Sequence, residues 1–375
     1  MQITKVEVFQ IDVPLKEPFI ISYHRFETMP AVIIKIDTEE GITGYGESVP
    51  DEHVTGESVY SVREALKHQL VPAILHTDPT NIQQIHQKMN RALVSNGAAK
   101  AAIDIACYDI LGKQANLPVY KLLGGRKEAP LTIPRVLSIF EPEVLAKQAI
   151  EAVNDGYDEL KMKLGTTPEE DVARVKAVRE AIGPEVLIRV DVNQGWGTVQ
   201  TARHTMKQLE PYDVTWVEQP IRQMDVSLFK RLKERVAQPL MADESMVNAQ
   251  NLRTLIEDES VDYINIKLMK SGGIYPAYQL ATQAELFGIA CQVGSMVETS
   301  VASAAGFHVA AAKDNIISTE ISGPTKFTEE VGDLSYELPF VNLPDKAGLG
   351  IEVDETQLHK LMMSHESITS EGTGS

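Results

Sequence analysis

Several things are scarce in this chain, and each scarcity narrows what it does. Cysteine occurs twice, at Cys107 and Cys291, both in apolar surroundings (Ile-Ala-Cys107-Tyr and Ile-Ala-Cys291-Gln). Two buried thiols, rather than a disulfide framework, fit a reducing, cytoplasmic setting. Long apolar runs are missing, so no segment reads as a membrane span. The first residues, Met1-Gln-Ile-Thr-Lys-Val-Glu-Val8, alternate like a strand and lack the basic segment and apolar core of a signal peptide. Positive charge is short as well: 35 basic against 53 acidic residues give a net charge of −18. Such a surface excludes nucleic acid and anionic membrane as expected partners. A small anionic substrate stays open, because a bound cation reverses the field locally. A Gly-rich phosphate loop is also absent.

What is present falls into two patterns. Over residues 1–60 apolar and polar positions alternate, as in Phe9, Ile11 and Val13, with a turn at Glu39-Glu40-Gly41, which reads as a β-meander. Two loops interrupt it, Pro18 to Phe26 and Pro50 to Ser58. From about residue 59 to 115 the period becomes helical, and the stretch Ala98 to Gly112 ends at a glycine. Residues 1–125 are therefore expected to form an α+β capping domain, with Leu122-Leu-Gly-Gly-Arg126 as linker. From about residue 130, eight aliphatic runs alternate with amphipathic helical stretches: Thr132–Ser138, Glu159–Leu164, Val186–Val192, Val214–Gln219, Pro239–Ser245, Tyr263–Leu268, Ile289–Ser295 and Ile316–Ser322. Their ends recur about every 24 to 28 residues, the length of one βα unit. The fold class predicted is α/β, a modified (β/α)8 barrel of the TIM type over 126–334. A segment at about 335–368 is expected to return to the capping domain, and the polar tail 369–375 to be disordered.

In such a barrel the active site lies at the C-terminal ends of the strands. The second run ends in Lys161 and Lys163, which point the same way on a strand. Two adjacent ammonium groups repel, which lowers the proton affinity of at least one of them. The third run ends in Asp191-Val-Asn193, the fourth in Glu218, the fifth in Asp243, and the sixth carries Lys267. Three converging carboxylates call for a neutralising cation, and an all-oxygen set favours Mg²⁺. Lys163 and Lys267 then stand about half a turn apart around the mouth. Two bases on opposite faces of a carboxylate substrate suit a 1,1-proton transfer, with the cation stabilising the enediolate.

This set resembles the enolase superfamily, and within it the muconate-lactonizing-enzyme subgroup, with Lys-x-Lys on the second strand and one Lys on the sixth. The resemblance spans essentially the whole chain. It implies Lys161, Lys163 and Lys267 as catalytic lysines, with Lys163 and Lys267 as opposed bases. It implies Asp191, Glu218 and Asp243 as ligands of one Mg²⁺ per active site. The mandelate-racemase branch uses a histidine on the seventh strand. Here that strand ends Gln292-Val-Gly-Ser295, which disfavours that branch.

The chain is most similar to the N-acylamino acid (N-succinylamino acid) racemases, some of which prefer arginine or lysine derivatives. The stretches that carry this are Ile21-Ser-Tyr23, Asp51 to Ser58, Arg189 to Trp196, Lys267 to Tyr275 and Gly294 to Glu298. Dipeptide epimerases of the subgroup place Asp-x-Asp after the eighth strand. This chain has Glu320-Ile-Ser322, so a capped amino group is expected. Asp51 and Glu52 lie in a loop that closes over the substrate side chain in this superfamily, and an acidic loop there suits a cationic side chain. Tyr23, Asn193 and Ser322 are further candidates for substrate contact, and Ser295, Met296 and Glu298 for the acyl pocket. Arg25 and Lys326 are both candidates for the acyl carboxylate. His53 reads equally as a surface histidine, Trp196 and Trp216 as packing, and His308 as a core residue. The expected function is a Mg²⁺-dependent racemase of N-succinyl basic amino acids, an isomerase acting on a small carboxylate, with a homo-oligomer implied by the family. Dipeptide epimerase, o-succinylbenzoate synthase and a non-catalytic barrel protein are the alternatives.

Overall fold

The computed structural model describes residues 1–224 and 226–370, and the backbone of 372–374. Strand β1 (Ile3–Ile20) pairs antiparallel with β2 (Arg25–Thr38), and β2 with β3 (Thr43–Ser48). By the alternation of the strand, Val6 and Val8 are buried on one side of β1 and Phe9, Ile11 and Val13 on the other. The 19-residue helix Gly97–Ala115 crosses this sheet at β3. It comes so close that a Cβ on Gly46 would stand 1.8 Å from the Ala102 carbonyl oxygen. Glycine at that position is a packing requirement.

Eight parallel strands follow in one sheet, in sequence order. They are β4 (Arg135–Leu137), β5 (Glu159–Lys163), β6 (Leu187–Asp191), β7 (Val214–Glu218), β8 (Leu240–Ala242), β9 (Tyr263–Ile266), β10 (Ala290–Val293) and β11 (Ile316–Thr319). Every expected run contains its strand, trimmed at the ends. Pro134 and Pro239 stand before β4 and β8, where a residue without an N–H cannot extend the ladder. Among the described residues no ladder joins β11 to β4. There Thr319 Oγ1 donates to the Thr132 carbonyl at 2.7 Å. This is the modified α/β barrel with its antiparallel capping domain.

A small hairpin, β12 (Ser335–Glu337) with β13 (Phe340–Asn342), precedes the return of the chain. Strand β14 (Met362–Thr369) pairs with β1 on the edge opposite β2, with Val6 facing Ile368. Residues Gly372–Gly374 pair with β14 as β15, so that part of the expected tail is paired backbone, while Glu371 and Ser375 lie outside the described residues.

Buried carboxylates fix the capping domain to the top of the barrel. Glu47, at the end of β3, accepts from the backbone N–H groups of Thr299 and Ala302, both at 2.8 Å, and from Thr299 Oγ1. It thereby caps the helix Ser300–Ala311 from another domain, where the helix leaves N–H groups unpaired. Within the capping domain, Glu57 accepts from the Ala98 and Ala99 N–H groups at the start of the long helix. The loop after β1 is held by Ser22, whose Oγ donates to the Asn193 carbonyl at 2.8 Å.

Candidate active site

The carboxylates of Asp191, Glu218 and Asp243 each offer an oxygen, and these oxygens lie within 4.8 Å of one another. All three residues are wholly buried. They end or directly follow three adjacent strands, β6, β7 and β8: Asp191 is in register with Glu218, and Asp243 stands two residues past Met241, the partner of Glu218 on β8. Buried anions this close demand cations, and lysines meet them from both sides. Lys161 Nζ stands 2.9 Å from both Asp191 Oδ2 and Glu218 Oε2, and also pairs with Glu320 Oε2. Lys163 Nζ is 2.6 Å from Asp191 Oδ2 and 3.2 Å from Asn193 Oδ1. From the far side Lys267 Nζ is 2.7 Å from Asp243 Oδ2, and Lys270 Nζ is 2.6 Å from Asp243 Oδ1. Strands β5 and β9 are four steps apart in an eight-stranded order, so Lys163 and Lys267 face each other across the mouth.

The fields follow from this geometry. Burial alone would raise the Asp191 carboxyl, but Lys161 and Lys163 outweigh it and hold it below the usual range. Asp243 is likewise lowered against burial by Lys267 and Lys270. Glu218 is pushed up to about 7, by burial and then by Asp191. Glu244, buried beside Asp243, rises to about 8 for the same two reasons. Lys161 is raised although burial opposes it, because Asp191, Glu218 and Glu320 surround it. Repulsion between paired ammonium groups, expected from Lys-x-Lys, therefore does not govern Lys161, which is a fixed charge.

The donor set fits a hard divalent cation. It is all oxygen, it carries three negative charges at one point, and Asp243 Oδ2 has no hydrogen bond, only the Lys267 charge beside it. Above it opens a cavity of about 350 Å³. Lys163, Lys267, Asn193, Ser295, Met296 and Ser322 line its floor and wall, and Tyr23, Asp51 and Glu52 its cap side. Tyr23 Oη donates to Asp51 Oδ2 at 2.9 Å. The Asp51 carbonyl also accepts the Thr55 N–H at 2.8 Å, so this acidic turn is folded in place.

Some expected residues are not brought to the cavity. Glu298 stands behind its wall, where Oε1 accepts the Met296 N–H at 2.8 Å and burial pushes its carboxyl up to about 7. Arg25 is exposed and paired with Glu27 at 2.8 Å. His53 is exposed and stacks on Tyr23. His308 is a satisfied core histidine: Nδ1 accepts the Tyr120 N–H at 3.2 Å, so Nε2–H donates to the Leu349 carbonyl at 3.0 Å. Trp196 packs with Nε1 donating to Asp171, and Trp216 packs on Arg189.

Two further residues of the site were not among the expected site residues, although Glu320 marks the end of the eighth strand in the sequence. Glu320 ends the eighth unit as Asp191 ends the third, a spacing signal that was available. Asn265 bridges Glu218 Oε1 at 2.8 Å and Glu320 Oε1 at 3.2 Å, and nothing in the sequence marks it. Gly294 makes room for that bridge, since a Cβ there would lie 2.4 Å from Asn265 Oδ1.

Comparison with known proteins agrees with this geometry. Residues 3–124 match the mandelate racemase / muconate lactonizing enzyme N-terminal domain, and residues 144–357 the enolase C-terminal domain-like family. The chain is 47% identical to an N-succinyl-L-Arg/Lys racemase of Bacillus cereus, over 98% of this chain and 100% of that protein. The crystal structure of that racemase superposes with a TM-score of 0.97. A hydrophobic dipeptide epimerase of Enterococcus faecalis is 41% identical over 94% of this chain and 99% of its own. A dipeptide epimerase from Cytophaga hutchinsonii, solved with Mg and the dipeptide D-Ala-L-Val, is 32% identical with a TM-score of 0.94, covering 98% of this chain and 100% of its own. With both domains matched and the carboxylate triad in place, the chain belongs to the enolase superfamily, in its mandelate racemase / muconate lactonizing enzyme family, among relatives that are named racemases and epimerases.

Proposed function

We propose that this protein is a racemase of N-acyl amino acids, with N-succinyl derivatives of arginine or lysine as substrates. The observation that carries the reading is the pair Lys163 and Lys267, buried on opposite sides of one cavity with the carboxylate triad between them. Asp191, Glu218 and Asp243 would hold one Mg²⁺, which when bound supplies Lewis-acid stabilisation of a substrate carboxylate whose α-proton is leaving. Lys163 Nζ takes the α-proton on one face, and Lys267 Nζ returns a proton on the other, so the configuration inverts. In the reverse direction the two exchange roles. Lys161, charged and locked by three carboxylates, does no proton transfer and attracts the substrate carboxylate. The cap loop excludes water, and Asp51, oriented by Tyr23, faces the cavity where a guanidinium or ammonium would lie.

The two buried free thiols suit a reducing cytoplasm. Dipeptide epimerisation is the second reading, favoured by the Enterococcus faecalis relative. Against it, Glu320 is already committed to Lys161 and Asn265, and Ser322 offers no charge for a free ammonium. Chiral chromatography of N-succinylarginine against Arg-containing dipeptides decides between them. A kcat/KM at least about 100-fold higher for the N-succinyl compound is expected; a preference for dipeptides would overturn the racemase reading.

A further inference from the structure

A second cavity, of about 280 Å³, adjoins the first, and Phe19, Val136 and Lys326 line both. Its own walls are basic, with Lys16 and Arg135, and Glu17 is the one acid among its lining residues. Lys16 and Arg135 are engaged: Lys16 Nζ donates to the Thr325 carbonyl at 2.8 Å, and Arg135 stands 4.0 Å from Glu17. Lys326 is different. It is half-buried at the end of the short helix Gly323–Lys326 that follows β11, six residues past Glu320 in the chain. Its ammonium lies 5.4 Å from the centre of the Phe19 ring, and no carboxylate pairs with it among the described residues. Lys163 Nζ lies 5.9 Å from the centre of the same ring. The proposed base and this unpaired cation are therefore no farther apart than those two lengths laid end to end. A succinyl group extended from the α-amino nitrogen carries its far carboxylate roughly 6 Å from the α-carbon, by bond lengths alone.

We propose that Lys326, with Arg135 behind it, is the anion subsite that receives the distal carboxylate of the N-acyl group, and that it selects dicarboxylic acyl groups over neutral ones. The inference rests on the N-acyl racemase reading and names the residue that reads the acyl group. Burial first, and Arg135 next, push the Lys326 ammonium down to about 8, against the opposing charges of Glu17 and Glu320. A bound carboxylate supplies that counter-ion in a partly desolvated place, where one charge pair is worth more than at an open surface. Arg25, the other candidate cation, pairs with Glu27 at the surface and lines neither cavity.

The test measures kcat/KM for N-succinylarginine and N-acetylarginine with the Mg²⁺-loaded enzyme, and titrates N-succinylglycine into it by calorimetry. Lys326→Met should lower the succinyl-to-acetyl ratio of kcat/KM by about 30-fold or more, mainly through KM, and Lys326→Arg should restore most of it. A ratio that survives Lys326→Met, or equal losses on both substrates, would overturn the subsite while leaving the racemase standing. A wild-type enzyme inert toward both compounds overturns the racemase reading instead. The anion site is then decided by calorimetry alone: N-succinylglycine must bind wild type more tightly than Lys326→Met, and equal binding rejects it.

Discussion

A residue's role here depends on which charges it touches. Lys161 and Lys163 are two positions apart on one strand, yet Lys161 is closed in by Asp191, Glu218 and Glu320, while Lys163 keeps one carboxylate and opens onto the cavity. The sequence showed both lysines and could not tell the locked one from the open one, because the difference comes from Glu320, which is far off in the chain. Asp51 illustrates the same point from the substrate side. In the sequence it belongs to an acidic loop suited to a cationic side chain; in the fold its side chain is only 13% exposed and is held by Tyr23. Asp51→Asn keeps the Tyr23 contact and removes the charge. KM for N-succinylarginine should rise about 10-fold or more, while KM for an N-succinyl derivative of leucine should change by less than about 3-fold. Equal changes in steady-state kinetics on the two would show that Asp51 only shapes the loop.

At the scale of elements, the strand ends were legible because the βα units repeat at nearly the same length, and the second to sixth and the eighth leave an ionisable residue near the strand end. The connections between domains were not. Nothing local marks Glu47 as the cap of a helix that begins at Ser300, since the two meet only after the barrel closes. The turn of π-helix at Leu66–Leu70 is equally silent in the sequence, whose helical period runs straight through it. His308 ties three elements together: the helix that bears it, the short helix Val119–Leu122 and the segment at Leu349. Burial holds its imidazole neutral and lowers it to about 4, although the Leu349 carbonyl opposes this. Its folded value lies below the ordinary 6.5, so the unfolded chain takes up the proton first. The stability it contributes is present above about 6.5 and lost as the pH falls toward 4, by about 3 kcal/mol in all. Urea denaturation at pH 7 and 4.5 should show that loss in the wild type. His308→Gln, which keeps an amide N–H for Leu349, should flatten the difference; an unchanged pH slope would assign it to other groups.

For the whole molecule, the α/β barrel and its capping domain were readable from periodicity alone, while the walls of the cavity come from many distant parts of the chain. The end of β1 at Phe19 with the turn at Tyr23, the loop at Asp51, and the segment from Ser322 to Lys326 meet only in the assembled protein. The carboxylate triad couples that assembly to a cation. Chelation should abolish activity and added Mg²⁺ restore it. Mg²⁺ at about 100 times its Kd should add about 2.7 kcal/mol of stability, seen as a rise of a few degrees in Tm. Glu218→Gln should remove that rise, because it takes away one of the three carboxylates that would hold the cation. A full Mg²⁺ shift in that variant would place the cation elsewhere.

The proton transfer between two opposed lysines is tested most directly by ¹H NMR in D₂O, following the α-proton of N-succinyl-L-arginine and N-succinyl-D-arginine separately. With the wild-type enzyme both enantiomers should lose the α-proton to solvent and converge on the same mixture. Lys163→Ala and Lys267→Ala should each slow racemisation by about 10²- to 10⁴-fold. Each should abolish exchange from one enantiomer, and the two variants from opposite ones. Exchange from neither enantiomer with the wild type, or loss from the same enantiomer in both variants, would contradict the assignment of one lysine to each face.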